Sequence, residues 1–68
     1  MDHQGLKAFV SVAKHSSFSD AADQLYLTQS AVSKRIASLE SQLGKKLFDR
    51  LGRTIALTEA GIALLPRA

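Results

Sequence analysis

Cysteine and tryptophan are both missing from this chain of 68 residues, which carries one tyrosine, one proline and two histidines. Without thiols, neither disulfides nor thiolate metal sites can reinforce the fold, and nothing calls for an oxidising compartment; a reducing cytoplasm is expected. No apolar run approaches the roughly 18 residues of a membrane span. The N-terminal MDHQGLK carries an acid where a secretory signal would carry cations, so a soluble, unsecreted protein is expected. His3 and His15 stand apart, and the six acids form no spaced set that would hold a metal or run acid–base chemistry. An enzyme is therefore disfavoured and no cofactor is implied. His15 fits better as a helix C-terminal residue favoured by the dipole.

The length allows one small domain, which buries roughly 60% of the surface its unfolded chain exposes. That suffices for a three-helix core and is too little for an enclosed catalytic cavity. With 46% apolar and 22% charged residues, the composition is that of a folding domain. The net charge of +3 is unevenly placed. Residues 34–53 hold Lys34, Arg35, Lys45, Lys46, Arg50 and Arg53 against Glu40 and Asp49, a local balance of +4, while the rest of the chain sums to −1. Such a concentration suits a surface for a polyanion, the alternative being a solvated face.

Leu6, Phe9, Val10 and Ala13 recur at i, i+3, i+4 and i+7, which predicts an amphipathic helix over about 4–14. The serines of KHSSFSD interrupt it. Ser19 is the expected cap of a short second helix, with Asp20 in its first turn and Ala21, Ala22 and Leu25 turned inward. It ends near Leu25. Only Tyr26 and Leu27 separate it from Thr28, whose hydroxyl can cap a third helix from about Gln29 to Leu43, stopped by Gly44. So tight a connection makes the two helices cross steeply. Val32, Ile36, Leu39 and Leu43 share one narrow arc of the third helix, and Ser30, Ser33, Lys34, Ala37 and Ser41 lie opposite.

Beyond Gly44, KKLFDR and TIALT predict a small hairpin with strands near 47–49 and 55–57, its tip carrying Arg50 and Arg53. Thr58 can cap a last helix, which Pro66 bends or ends. Ile62, Leu64 and Leu65 are expected on its exposed side, available for self-association.

A short helix, a tight turn, a longer helix with a low-bulk polar face, and a basic hairpin together make a winged helix-turn-helix: mainly α, a three-helix core with a small β-hairpin wing. The major groove of B-DNA admits one helix, and short side chains let it approach the base edges. Gln29 can pair bidentately with adenine, and Ser30 and Ser33 can reach bases or phosphates. Lys34 can reach guanine or a phosphate, and Ala31 is small enough to meet a thymine methyl. Serine competes for the helix backbone, so four serines in one helix ask for a partner; contact is expected for Ser30 and Ser33, solvent for Ser38 and Ser41. Arg50 and Arg53 suit phosphates or a narrow minor groove. Arg35 fits a phosphate contact or a solvated flank.

The stretch FSDAADQLYLTQSAVSKRIASLESQLGKKLFDR, followed by GR and LTEAG, resembles the N-terminal DNA-binding domain of LysR-type transcriptional regulators. The likeness covers nearly the whole chain. It implies a bacterial, cytoplasmic regulator that binds double-stranded DNA at interrupted inverted repeats as a dimer or tetramer. In such a regulator this domain precedes a linker helix and an effector-binding domain, so no effector site is expected in these residues. It further implies a winged helix-turn-helix domain over 1–57, with the motif at 18–37 and the wing at about 45–57, and the start of the linker helix over 58–68. The groove-facing set would be Thr28, Gln29, Ser30, Ser33 and Lys34, with Arg50, Arg53 and Thr54 on the wing. Ser30 stands where the family often has proline. Tyr26 stands where a generic helix-turn-helix often has glycine, so the turn must tolerate a side chain. The main rival is a winged helix that binds protein, which would call for exposed apolar residues on the third helix where Ser30, Ser33 and Lys34 stand.

Overall fold

Four helices and one hairpin follow each other in the order α1 (His3–His15), α2 (Phe18–Leu25), α3 (Gln29–Leu43), β1 (Phe48–Leu51), β2 (Thr54–Leu57) and α4 (Glu59–Leu64). This is a computed structural model, and it describes residues 3–51 and 54–65, Leu51 by its backbone alone.

The buried face of α1 is Gly5, Ala8, Phe9 and Val12, with Leu6, Val10 and Ala13 half-buried beside it. The stripe is thus rotated from the expected one. Both sets have helical spacing and share Phe9, and Gly5 and Ala8 on the buried face let neighbouring helices come close.

The cap of α2 is Ser17, not the expected Ser19. Ser17 is extended, and its side chain accepts from the Asp20 N–H at 3.1 Å. The helix starts two residues earlier than a cap at Ser19 would allow because Phe18 is buried in the core, leaving Ser19 exposed in the first turn. Ala21 and Ala22 are buried, as their size permits. At the other end Tyr26 takes a left-handed conformation, φ 57°, and its N–H points back to the carbonyls of Ala22 and Asp23. The Leu27 N–H donates to the Ala22 carbonyl at 2.9 Å, and the Leu27 side chain packs against the core. This closes α2 in the way a glycine usually does.

Helix α3 begins and ends as expected. Thr28 Oγ1 accepts from the Ala31 N–H at 3.0 Å, and Gly44 ends the helix with φ 70°. Val32, Ile36 and Leu39 are buried, with Leu43 half-buried at the rim. The core is completed from the wing side by Leu47, fully buried, and Phe48. The Phe48 ring lies 5.4 Å from that of Phe9 and 5.9 Å from that of Phe18, the latter edge-on. Aromatic pairs of this geometry are each worth about 0.5–1.5 kcal/mol beyond their buried area.

The hairpin is antiparallel, with Phe48 opposite Leu57 and Leu51 opposite Thr54. Each strand extends toward the turn beyond its expected span, so the connection is only residues 52–53. Thr58 then caps α4, accepting from the Gly61 N–H at 3.1 Å. Ile62 and Leu65 are exposed as expected, but Leu64 is half-buried against the core, which corrects its expected exposure. Pro66, expected to end this helix, lies outside the described residues.

Candidate nucleic-acid interface

The turn Tyr26–Leu27 brings the N-terminal end of α3 to the surface. Its inner arc is anchored by Val32 and Ile36, which leaves Gln29, Ser30 and Lys34 exposed. Ser33 and Ala31 are half-buried on the flanks of that face, and Thr28 is exposed at its head. The Thr28 oxygen accepts one backbone bond, which leaves its O–H free to donate to a further partner. Further along the helix Ala37, Ser38 and Ser41 are exposed. The outer surface therefore carries short polar groups and one cation in its N-terminal half, with no large apolar side chain.

Arg50 does not lie at the tip of the hairpin, as expected, but within β1, opposite Ile55. Its guanidinium carbon sits 4.5 Å from the centre of the Phe18 ring. The expectation failed because β1 runs on to Leu51, one residue past Arg50. Arg53, the other expected wing cation, lies outside the described residues. Thr54 opens β2, is exposed, and takes part in an interaction within the molecule.

Two surface grooves meet at Arg50. One, about 220 Å³, is bounded by Ser17, Ser19, Gln29, Arg50 and Thr54, so three of the residues selected from sequence line a single depression. The other, about 450 Å³, lies between α3 and β1 and includes Ser33, Ala37, Glu40, Lys46 and Arg50. A guanidinium between two polar grooves, beside a helix face of short side chains, is suited to an extended anionic backbone with base edges next to it.

Two residues of this region were not singled out from sequence. Phe18 supplies the platform under Arg50, and a serine-flanked aromatic gives no local sign of that. From the sequence Glu40 is only one acid among the cations of 34–53. Its side chain is 13% exposed, its Oε2 accepts from the Leu47 N–H at 2.8 Å, and its Oε1 lies 4.0 Å from the Nζ of Lys46. No signal in the sequence links a helix residue to a backbone amide seven positions on.

Fold and surface together define a winged helix-turn-helix DNA-binding domain. Residues 3–62 match the family described as bacterial regulatory helix-turn-helix protein, lysR family, and the chain belongs to that family. It is 65% identical, over all 68 residues, to an uncharacterised HTH-type transcriptional regulator in the ibpB-leuC intergenic region of Azotobacter vinelandii, covering 47% of that protein. It is 54% identical, again over its full length, to the HTH-type transcriptional regulator HdfR of Yersinia enterocolitica, covering 23% of it. The chain thus spans less than half the length of these curated relatives. Among solved structures, the DNA-binding domain of CbnR in complex with DNA superimposes with a TM-score of 0.93 at 36% identity, over 98% of this chain and 77% of that one. The relatives are transcriptional regulators, and the chain is a DNA-binding domain, not an enzyme.

Proposed function

We propose that the chain binds double-stranded DNA sequence-specifically, with α3 in the major groove and the hairpin on the adjoining backbone. The observation that carries this reading is the face of α3: Gln29, Ser30 and Lys34 exposed, backed by the buried stripe Val32, Ile36 and Leu39. In this reading Gln29 reads adenine, and Ser30, Ser33 and Lys34 contact base edges or phosphates. Ala31 meets a thymine methyl from the flank, and Thr28 donates to a phosphate. Arg50, Thr54 and Arg53 hold the neighbouring backbone or minor groove. The helix-turn-helix spans 18–37 within a domain of 1–57, and the start of a linker helix, which includes α4, follows from 58.

The whole regulator, by this reading, acts in the bacterial cytoplasm as a homo-oligomer on an interrupted inverted repeat. It assembles through the linker helix, where Ile62 and Leu65 are exposed, and through an effector-binding part beyond these residues. Among the described residues, no helix is long and apolar enough to cross a membrane. Support comes from the likeness to the DNA-bound CbnR domain and from the concentration of cations in 34–53.

The test is a salt titration of binding to a short duplex. Contact with several phosphates gives a log–log slope of about −0.9 for each phosphate neutralised. A flat slope, or no binding at low salt, would favour a protein-binding winged helix instead.

A further inference from the structure

The backbone of Leu47, at the root of the wing, is fastened from two sides. The Leu47 N–H donates to Glu40 Oε2 on α3 at 2.8 Å, and the Leu47 carbonyl accepts from the Thr58 N–H, just before α4, at 3.0 Å. Thr58 Oγ1 adds a bond to the Lys46 carbonyl at 2.6 Å. Gly61 of α4 lies against the same Leu47 carbonyl, so closely that a side-chain carbon there would collide with the carbonyl oxygen and fall 2.9 Å from Leu57 Cδ2. Leu47 itself is the last residue before β1, and its side chain is fully buried.

Glu40 ties down more than this one amide. Its backbone carbonyl accepts from the Gly44 N–H at 2.8 Å and the Lys45 N–H at 3.2 Å. One residue therefore holds both the end of α3 and the beginning of the wing. A carboxylate sunk beside the core is costly unless hydrogen-bonded, and a charged acceptor makes the bond to an amide about twice as strong as a neutral one would. Glu40 is also one of only two acids in the segment 34–53, where negative charge opposes a polyanion. Neither solubility nor attraction to DNA accounts for it.

We propose that Glu40 is a positioning residue for DNA binding. By clamping the Leu47 peptide it fixes where the hairpin, and Arg50 on it, stands relative to α3, so that helix and wing engage the duplex together. The inference rests on the reading of α3 and the hairpin as DNA-contacting surfaces. Removing the carboxylate leaves the Leu47 N–H without its partner and the wing root tied to Thr58 but no longer to α3, while Phe48, packed on Phe9 and Phe18, keeps the hairpin attached to the core.

The experiment uses a duplex selected from a random pool by the unmodified chain, with affinity and hydroxyl-radical footprints measured for that chain and for Glu40→Ala, Glu40→Asp and Glu40→Gln. Protections lost in Arg50→Ala mark the wing, and those lost in Gln29→Ala mark the helix. Glu40→Ala is expected to bind about tenfold more weakly, the order of one lost charge-assisted hydrogen bond, and to lose the wing protections while keeping those of the helix. Glu40→Gln, whose amide oxygen still accepts from Leu47, restores the wing protections. Should Glu40→Ala lose cooperative unfolding, Glu40→Asp, one methylene too short, carries the same expectation. Wing protections that persist in the Ala or Asp variant, or that fade in step with those of the helix, would overturn the inference alone. An unmodified chain that protects only the helix side would overturn the wing reading and the inference with it.

Discussion

The guanidinium of Arg50, on β1, lies 4.5 Å above the ring of Phe18, the first residue of α2. The same ring meets Phe48 edge-on at 5.9 Å, so one side chain serves both as core and as the platform of a surface cation. Phe18→Leu keeps an apolar filling but removes the π face. We predict a stability loss of about 1–2 kcal/mol, of which the exposed cation–π contact accounts for about 0.5–1. Affinity should fall by a similar factor on selected and scrambled duplexes, because Arg50 loses its support while the base-reading residues keep theirs. Urea unfolding and paired binding curves check both parts; a loss confined to the selected duplex would refute them.

Ser17, not Ser19, caps α2. Ser17→Ala should cost about 1 kcal/mol, and Ser19→Ala should fall within about 0.5 kcal/mol of no change. Thermal unfolding of the two variants side by side decides the assignment, and equal losses would contradict it.

Tyr26 combines a left-handed backbone with a side chain that is 95% exposed. Its ring gains little from packing, and its backbone is in a conformation that costs a residue other than glycine about 1–3 kcal/mol. Glycine gives back about 0.5–1 kcal/mol of this through its freer unfolded chain. Tyr26→Gly should therefore stabilise the domain by about 1 kcal/mol, seen as a higher denaturation midpoint with an unchanged slope.

Gly61→Ala should behave in the opposite way to an ordinary helix substitution. In an exposed helix alanine is favoured over glycine by about 1 kcal/mol. Here the added carbon meets the Leu47 carbonyl and Leu57, so α4 must move, at a cost of about 1–3 kcal/mol. A stability gain in equilibrium unfolding would show that α4 does not press on the wing root.

What was legible in the sequence is what local chemistry encodes. Thr28 and Gly44 bound α3 because a hydroxyl and a glycine at those offsets leave few alternatives, and the arc of Val32, Ile36 and Leu39 follows from helical spacing alone. The run SSFS offered several caps, and the choice of Ser17 depends on the burial of Phe18, a tertiary fact. The position of Arg50 within β1 is not legible in the sequence because a four-residue strand gives no clear mark of its end. Glu40 and Gly61 stayed silent for one shared reason. Both act on Leu47, and only the folded chain brings them there.

The central claim is that α3 reads bases and that Gln29 is one of its readers. Selection of bound duplexes from a random pool, carried out with the unmodified chain and with Gln29→Ala, tests it directly. The account predicts that the variant loses preference at a single base-pair position, worth about 1–3 kcal/mol, while the remaining positions stay as they were. An unmodified chain that selects no sequence, or a variant whose preferences match it at every position, would contradict the account.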